Sequence, residues 1–198
     1  MADKYGAEQD PYCYNHTNVL KNNFNIQDEN ILSNAEREIT TAALKSIHFS
    51  LPPYDLAYFK NINYHLFSRI YNWAGKLRSI DISKNETHFC IVDRIEPEAD
   101  KLFKTLKKHH YFVALSDKEF IEYIAQLYGD INMLHPFREG NGRTQRILFD
   151  HIALNAAYTI NWSVSTEQKW KEANIHAVEC DYEALQAIFR LGLKKIQT

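Results

Sequence analysis

The stretch MLHPFREGNGRTQRIL, Met133 to Leu148, sets His135, Glu139, the run Gly140-Asn141-Gly142, Arg143 and Arg146 between two apolar segments. Pro136 disfavours helical geometry at His135, so the preceding helix should end there. The glycines permit positive φ angles and close backbone approach. A new helix then begins, and its first N–H groups and dipole form an anion site from backbone alone. Arg143 and Arg146, three residues apart, share a helix face and add two guanidinium forks suited to phosphate. A polyphosphate is the ligand that this set suits. Glu139 would repel such a ligand unless a divalent cation intervened, and Mg²⁺ takes one or two carboxylates together with phosphate oxygens. His135, with an ordinary pKa of about 6.5, suits a general base acting on a hydroxyl. The pattern is not a Walker loop: the Gly-Lys-Ser/Thr ending is absent, and no strand precedes the glycines.

The elements that must position these residues read as helical. Apolar residues at helical spacing run from about Ile31 to Ile47, where Ser-Leu-Pro-Pro stops them. A second helix begins near Asp55, carries Leu56, Phe59, Ile62, Leu66, Phe67 and Ile70 on one face, and closes at Asn-Trp-Ala-Gly. The period then changes. LRSIDI and HFCIV, joined by the turn-rich SKNET, read as a two-stranded hairpin, the one good strand signal in the chain. A third helix follows DRIEPEAD, with Leu102, Phe103 and Leu106 inward. Ser116 and Glu119 form a capping box that opens the helix leading to the polar loop, and its stripe is Phe120, Ile124, Leu127, Ile131 and Leu134. After the loop come RTQRILFDHIALNAAY, a helix capped by Ser165 with Gln168, and a last helix from about Tyr182 to Ile196. The expected fold class is all-α, six or more helices with one β-hairpin.

Composition narrows the function classes. The 198 residues suit a single domain, and 45% hydrophobic with 24% charged residues is globular. A net charge of −2 offers no general attraction to nucleic acid or to an anionic membrane. Cys13, Cys90 and Cys180 are scattered and odd in number, which argues against a disulfide framework or a zinc site. No secretory signal or membrane-spanning run is visible, so a soluble, cytoplasmic protein is expected.

HPFREGNGRTQR resembles the signature of the Fic-domain proteins, His-x-Phe-x-Asp/Glu-Gly-Asn-Gly-Arg-x-x-Arg, with every defining position filled. DPYCYNHTNVLKNNF is similar to the N-terminal stretch of the short bacterial Fic toxins, and YNWAGKLRSIDISKNETHFC to their helix end and target-docking flap. The resemblance implies one Fic domain over 1–198. Within it lie an N-terminal extension 1–27, a helical core over about 28–180, a flap over about 77–92 and a C-terminal helix over about 182–196. It also implies transfer of AMP from ATP to a hydroxyl side chain of a target protein. His135 would be the base and Glu139 the Mg²⁺ ligand. Gly140, Asn141 and Gly142 would form the anion hole, Arg143 and Arg146 would bind the β/γ end, and Phe137 would be a buried anchor. The flap residues Thr87, His88, Phe89, Cys90 and Ile91 would hold the target by strand addition. A kinase branch of the family replaces the first glycine and alters the arginine end; here both are intact. Many relatives carry an inhibitory helix with the pattern Ser/Thr-x-x-x-Glu-Gly/Asn, which this chain lacks. The resemblance therefore implies a separate small antitoxin whose glutamate faces Arg146. It implies, by analogy alone, targets among the ATPase subunits of DNA gyrase and topoisomerase IV, the GyrB/ParE type. Other readings are a Fic-fold kinase or a transferase using another nucleotide, or a catalytically silent Fic-fold binding module.

Other residues carry less. Adjacent His109 and His110 point about 100° apart on a helix and suit a solvated face, not chelation. Asp150 and His151 read as structural or surface groups, the many aromatics as core, and Lys84 as a residue that meets the target or nothing.

Overall fold

A computed structural model of the chain describes residues 10–84 and 87–197. Its helices follow the periodicity closely at the centre and less closely at the ends. The central helix, α4 (Asp117–Leu134), starts at the expected capping box, with Ser116 accepting from the Glu119 N–H and the Glu119 side chain returning to Ser116. Its stripe Phe120, Ile124, Leu127, Ile131 and Leu134 is buried throughout. Around it pack α3 (Val92–Lys108), α5 (Asn141–Asn155), α6 (Glu167–Val178) and α7 (Glu183–Gly192). α1 (Glu29–Leu44) lies on α2 (Leu56–Phe67), and α2 lies on α5. α5 is buried nearly all round, which explains why a polar, catalytic-looking segment merges into an apolar one.

Several boundaries differ from the sequence expectation. α1 ends at Leu44, and Ile31, expected inside, is 58% exposed while Leu32 beside it is buried. α2 stops at Phe67, eight residues before Gly75, and the chain folds back there through a turn to Tyr71. α3 begins at Val92, so the segment Asp93–Asp100 lies inside it despite Pro97. The missing proline N–H costs that helix one bond near its start and does not stop it. Thr166, not Ser165, caps α6, accepting from Lys169 N–H at 3.3 Å.

The flap hairpin is short: β1 (Ser83–Lys84) pairs antiparallel with β2 (Thr87–His88). The centre of the SKNET connector, Asn85 and Glu86, lies outside the described residues, as do residues 1–9 of the N-terminal extension. LRSIDI and HFCIV are therefore mostly irregular, because their backbone bonds go to the protein body: Arg78 N–H to Pro136 O at 2.9 Å and Cys90 N–H to Met133 O at 3.0 Å. A second small sheet was not expected. β3 (Tyr158–Ile160) pairs with β4 (Leu193–Lys195), so the C-terminal helix ends at Gly192 instead of running on to Ile196. A side chain at Gly192 would meet the Asn161 carbonyl oxygen at 2.9 Å, and the close approach lets the chain leave the helix and enter the sheet. Among the described residues no helix is long and apolar enough to cross a membrane.

Candidate active site

Seven residues of the motif line one cleft of about 660 Å³: His135, Glu139, Gly140, Asn141, Gly142, Arg143 and Arg146. His135 is the C-cap of α4 and sits in the left-handed region at φ 42°, ψ 58°, with its N–H bonded to Ile131 O. Pro136 and this cap together turn the chain out of the helix. His135 Nδ1 lies 3.1 Å from the Asn132 carbonyl oxygen. A carbonyl only accepts, so Nδ1 carries the hydrogen and Nε2 of the neutral ring holds the lone pair. The tautomer needed for a base is set by one backbone oxygen. Phe89 from the flap stacks on the imidazole, centroids 3.9 Å apart and planes at 20°.

The loop itself is held from beneath. Phe137 is fully buried against Phe59, with ring centroids 5.2 Å apart. The Asn141 side chain receives the Phe137 N–H at 2.9 Å and donates to the Phe137 oxygen at 2.7 Å, so its amide staples the loop and leaves its backbone for a ligand. Asn63, fully buried on α2, donates to the Glu139 oxygen at 3.2 Å and to Thr144 Oγ1 at 3.1 Å. Arg138, 2% exposed, is ion-paired to Asp10 of the N-terminal segment, and its Nε lies 2.6 Å from Asp10 Oδ2.

Gly140, the N-cap of α5, sits at φ +81°, and a Cβ there would fall 2.1 Å from Phe67 Cε2. Phe67 is fully buried and carries the Arg143 guanidinium 4.6 Å above its ring, so it has nowhere to move. Gly140→Ala is expected to lose about 3 kcal/mol of stability, from the left-handed backbone and the overlap together. Urea unfolding would check this, and a loss under about 1 kcal/mol would mean that the loop relaxes around the methyl group.

Glu139, 8% exposed, accepts the Gly140 N–H at 2.8 Å and stands 3.6 Å from Arg143. Arg143 is more heavily engaged than its spacing suggests. It pairs with Glu36 of α1 and donates to Thr40 Oγ1 at 3.1 Å, while Tyr71 OH donates to the other Glu36 oxygen at 2.5 Å. Burial and the Glu36 carboxylate push the Tyr71 phenol well above its usual range, so it is a donor at every working pH. Arg146 differs: it is exposed, lies 5.7 Å over the Trp162 ring, and has no ion pair among the described residues. Beside it burial raises the Tyr128 phenol to about 12 and the Asp150 carboxyl to about 6, the latter accepting Trp162 Nε1–H at 2.8 Å. His151, also buried, is held by Tyr58 at Nδ1, the structural role expected of it. His109 caps α3 against the Tyr123 ring.

Among the described residues no group of three or more His, Cys, Asp or Glu could hold a metal ion. Glu139 at the loop end of the cleft is the single-carboxylate arrangement that Mg²⁺ accepts when phosphate oxygens complete its shell.

A sequence model of the Fic/DOC family matches residues 53–153. This chain belongs to the Fic/DOC family. A relative from Salmonella typhimurium, named probable protein adenylyltransferase Fic, is 36% identical over 195 residues, covering 98% of each chain. The solved BepC protein of Bartonella tribocorum, with bound AMPPNP, superposes at a TM-score of 0.85 with 26% identity, covering 94% of this chain and 97% of that one. The N-terminal Fic domain of a Bartonella quintana effector, with bound ADP, gives a TM-score of 0.86 at 25% identity, covering 94% and 95%.

In this Fic/DOC chain the flap residues separate. Thr87 and Phe89 line the cleft, and Lys84 joins them from β1. His88 sits in β2, Cys90 has its backbone tied to Met133 and Arg78, and Ile91 caps α3 with a 55% exposed side chain. The strand itself is thus shorter than the run Thr87–Ile91. Sequence reasoning missed the opposite wall of the cleft: Glu167, Trp170, Lys171, Asn174 and Ile175 of α6. Their spacing of three and four puts them on one helix face, the only signal the sequence offered. Nothing local marked Glu36, Tyr71 or Asn63.

Proposed function

We propose that this chain transfers AMP from ATP to a hydroxyl side chain of a target protein. The observation that carries the reading is His135: its Nδ1–H is fixed on the Asn132 oxygen, so Nε2 is the basic nitrogen, on the wall of a cleft that also holds the α5 N-terminus and Arg146. The nucleotides named with the two Bartonella structures support ATP as the donor. Nε2 takes the hydroxyl proton, the oxygen forms its bond to the α-phosphorus, and the bond from that phosphorus to the β-phosphate oxygen breaks, releasing pyrophosphate. The backbone N–H groups of Asn141, Gly142 and Arg143 face the phosphates as fixed donors. Arg143 divides its charge between Glu36 and Glu139, which leaves Arg146 as the principal side-chain cation for the β/γ end. Glu139 would hold Mg²⁺, which supplies charge neutralisation between that carboxylate and the phosphates. Thr87 and His88 would pair with the target segment.

A separate antitoxin would place a glutamate against Arg146, which lines the cleft and makes no ion pair within 4 Å among the described residues. The target would be a GyrB/ParE-type topoisomerase subunit in the cytoplasm.

The test incubates the purified chain with bacterial lysate, Mg²⁺ and ATP labelled at the α- or the γ-phosphate. A discrete protein band labelled only from the α position is expected. Label from the γ position alone would make it a kinase, and no label from a folded, ATP-binding chain would make it a binding module.

A further inference from the structure

We propose that the flap builds the general base itself: Phe89 and Arg78 are positioning residues that hold His135 in its working geometry. The inference rests on His135 being the base. A non-glycine residue stays in left-handed geometry only where its surroundings over-determine it, and His135 does so at φ 42°. Arg78 supplies much of that determination. Its side chain is fully buried, and the largely exposed Asp81 carboxylate stands 3.8 Å from Nη1. The guanidinium donates to three carbonyls: Nε to His135 at 2.9 Å, Nη1 to Ile80 at 2.7 Å, and Nη2 to Cys90. One planar fork therefore ties the backbone of the base to both arms of the flap, which no other side chain type could do.

Phe89 completes the link. Its N–H bonds to Ile82 O at 3.2 Å, which closes the hairpin below the two short strands. Its ring, 8% exposed, covers one face of the imidazole. With Nδ1 fixed on Asn132 and one face under Phe89, the ring has a single rotamer left, and Nε2 has a single direction. A flap that shifts carries Phe89 off His135 and pulls on the His135 carbonyl through Arg78. Flap position and base position are thus one variable. A partner that seats the flap correctly would thereby also seat the base.

The test reads His135 directly, in the full chain without nucleotide or target. Isotope-labelled histidine NMR, with His135 assigned by its loss in His135→Asn, should show ring protons shifted upfield by Phe89 and a single Nδ1–H tautomer. Phe89→Leu keeps an apolar side chain but no ring face. It is expected to remove the upfield shift, to mix the tautomers, and to lower transfer by about 10²-fold, the scale of a small misplacement at a reacting centre. Nucleotide affinity should stay within about twofold, since Phe89 is not placed among the phosphate-facing groups. Phe89→Tyr should restore both the signature and the rate. Arg78→Lys, which keeps the charge but cannot bridge three carbonyls, should lose the signature as well; if it fails to fold, the Phe89 pair decides. An unchanged His135 signature in Phe89→Leu overturns the proposal, whether the rate stays or falls, because a rate loss alone would then be target docking. If the wild-type chain labels no protein at all, the transfer reading fails while the resonances still decide the coupling.

Discussion

His135→Asn should lower AMP transfer by about 10²–10⁴-fold, the usual share of a positioned base, while nucleotide affinity stays within about twofold. Asparagine is the informative replacement. It tolerates left-handed backbone better than alanine does, so the turn at φ 42° survives and the loop after it keeps its place. It also has no lone pair that is basic near neutral pH. The cleft keeps Glu139, Arg146 and the start of α5, so ATP should bind as before. The cost to stability is the imidazole's contact with Phe89 and one hydrogen bond to Asn132, on the order of 1 kcal/mol. Transfer within tenfold of the wild type would take the base role away from His135 and give it to a group on the target or to water. A parallel loss of nucleotide affinity would mean that the side chain binds instead of catalysing.

Asp10→Ala should cost about 3–5 kcal/mol, the scale for removing one partner of a buried ion pair. Arg138 is in the catalytic loop, between Phe137 and Glu139, and the side chains of the pair are 2% and 3% exposed. The same carboxylate receives the Tyr12 N–H at 2.8 Å and the Cys13 thiol at 3.6 Å, so it ties the N-terminal segment to the loop from 128 residues away. For a domain of this size the thermal midpoint should fall by roughly 10 °C. The charge left behind is the cause, so the double variant Asp10→Ala with Arg138→Met should recover most of the stability, since an apolar pair of similar volume is often neutral. A loss below about 1 kcal/mol in urea unfolding, or a double variant worse than the single, would show that the segment is held by its apolar contacts through Cys13, Val19 and Leu20 instead.

Arg143 and Arg146 have the same spacing signal and the same chemistry, yet one is shared by two carboxylates and a threonine while the other faces the cleft without an ion pair among the described residues. The α1 helix that makes the difference contributes a glutamate 107 residues earlier in the chain. It meets the first motif arginine and leaves the second facing the cleft.

What the sequence by itself determined is what lies within a few residues. The capping box opens α4, its stripe of every third and fourth residue is buried, Pro136 ends it at His135, and the Gly-Asn-Gly run opens α5. Each of these follows from torsion preferences, from backbone groups that need partners, or from helical period, all of which are local. The fold class was legible for the same reason. Tertiary structure alone decided the rest. Three-residue strands such as Tyr158–Ile160 and Leu193–Lys195 are too short to show a period, and their pairing depends on a partner far along the chain. The bonds that hold the catalytic loop come from Asp10, Asn63 and Arg78, polar residues in turns and helices that look like ordinary surface until burial is known. The same holds for the stack of Phe89 on His135 and the α6 wall of the cleft. Sequence spacing encodes which groups can do chemistry, whereas their angles and charges are set by side chains that meet only after the helices have packed.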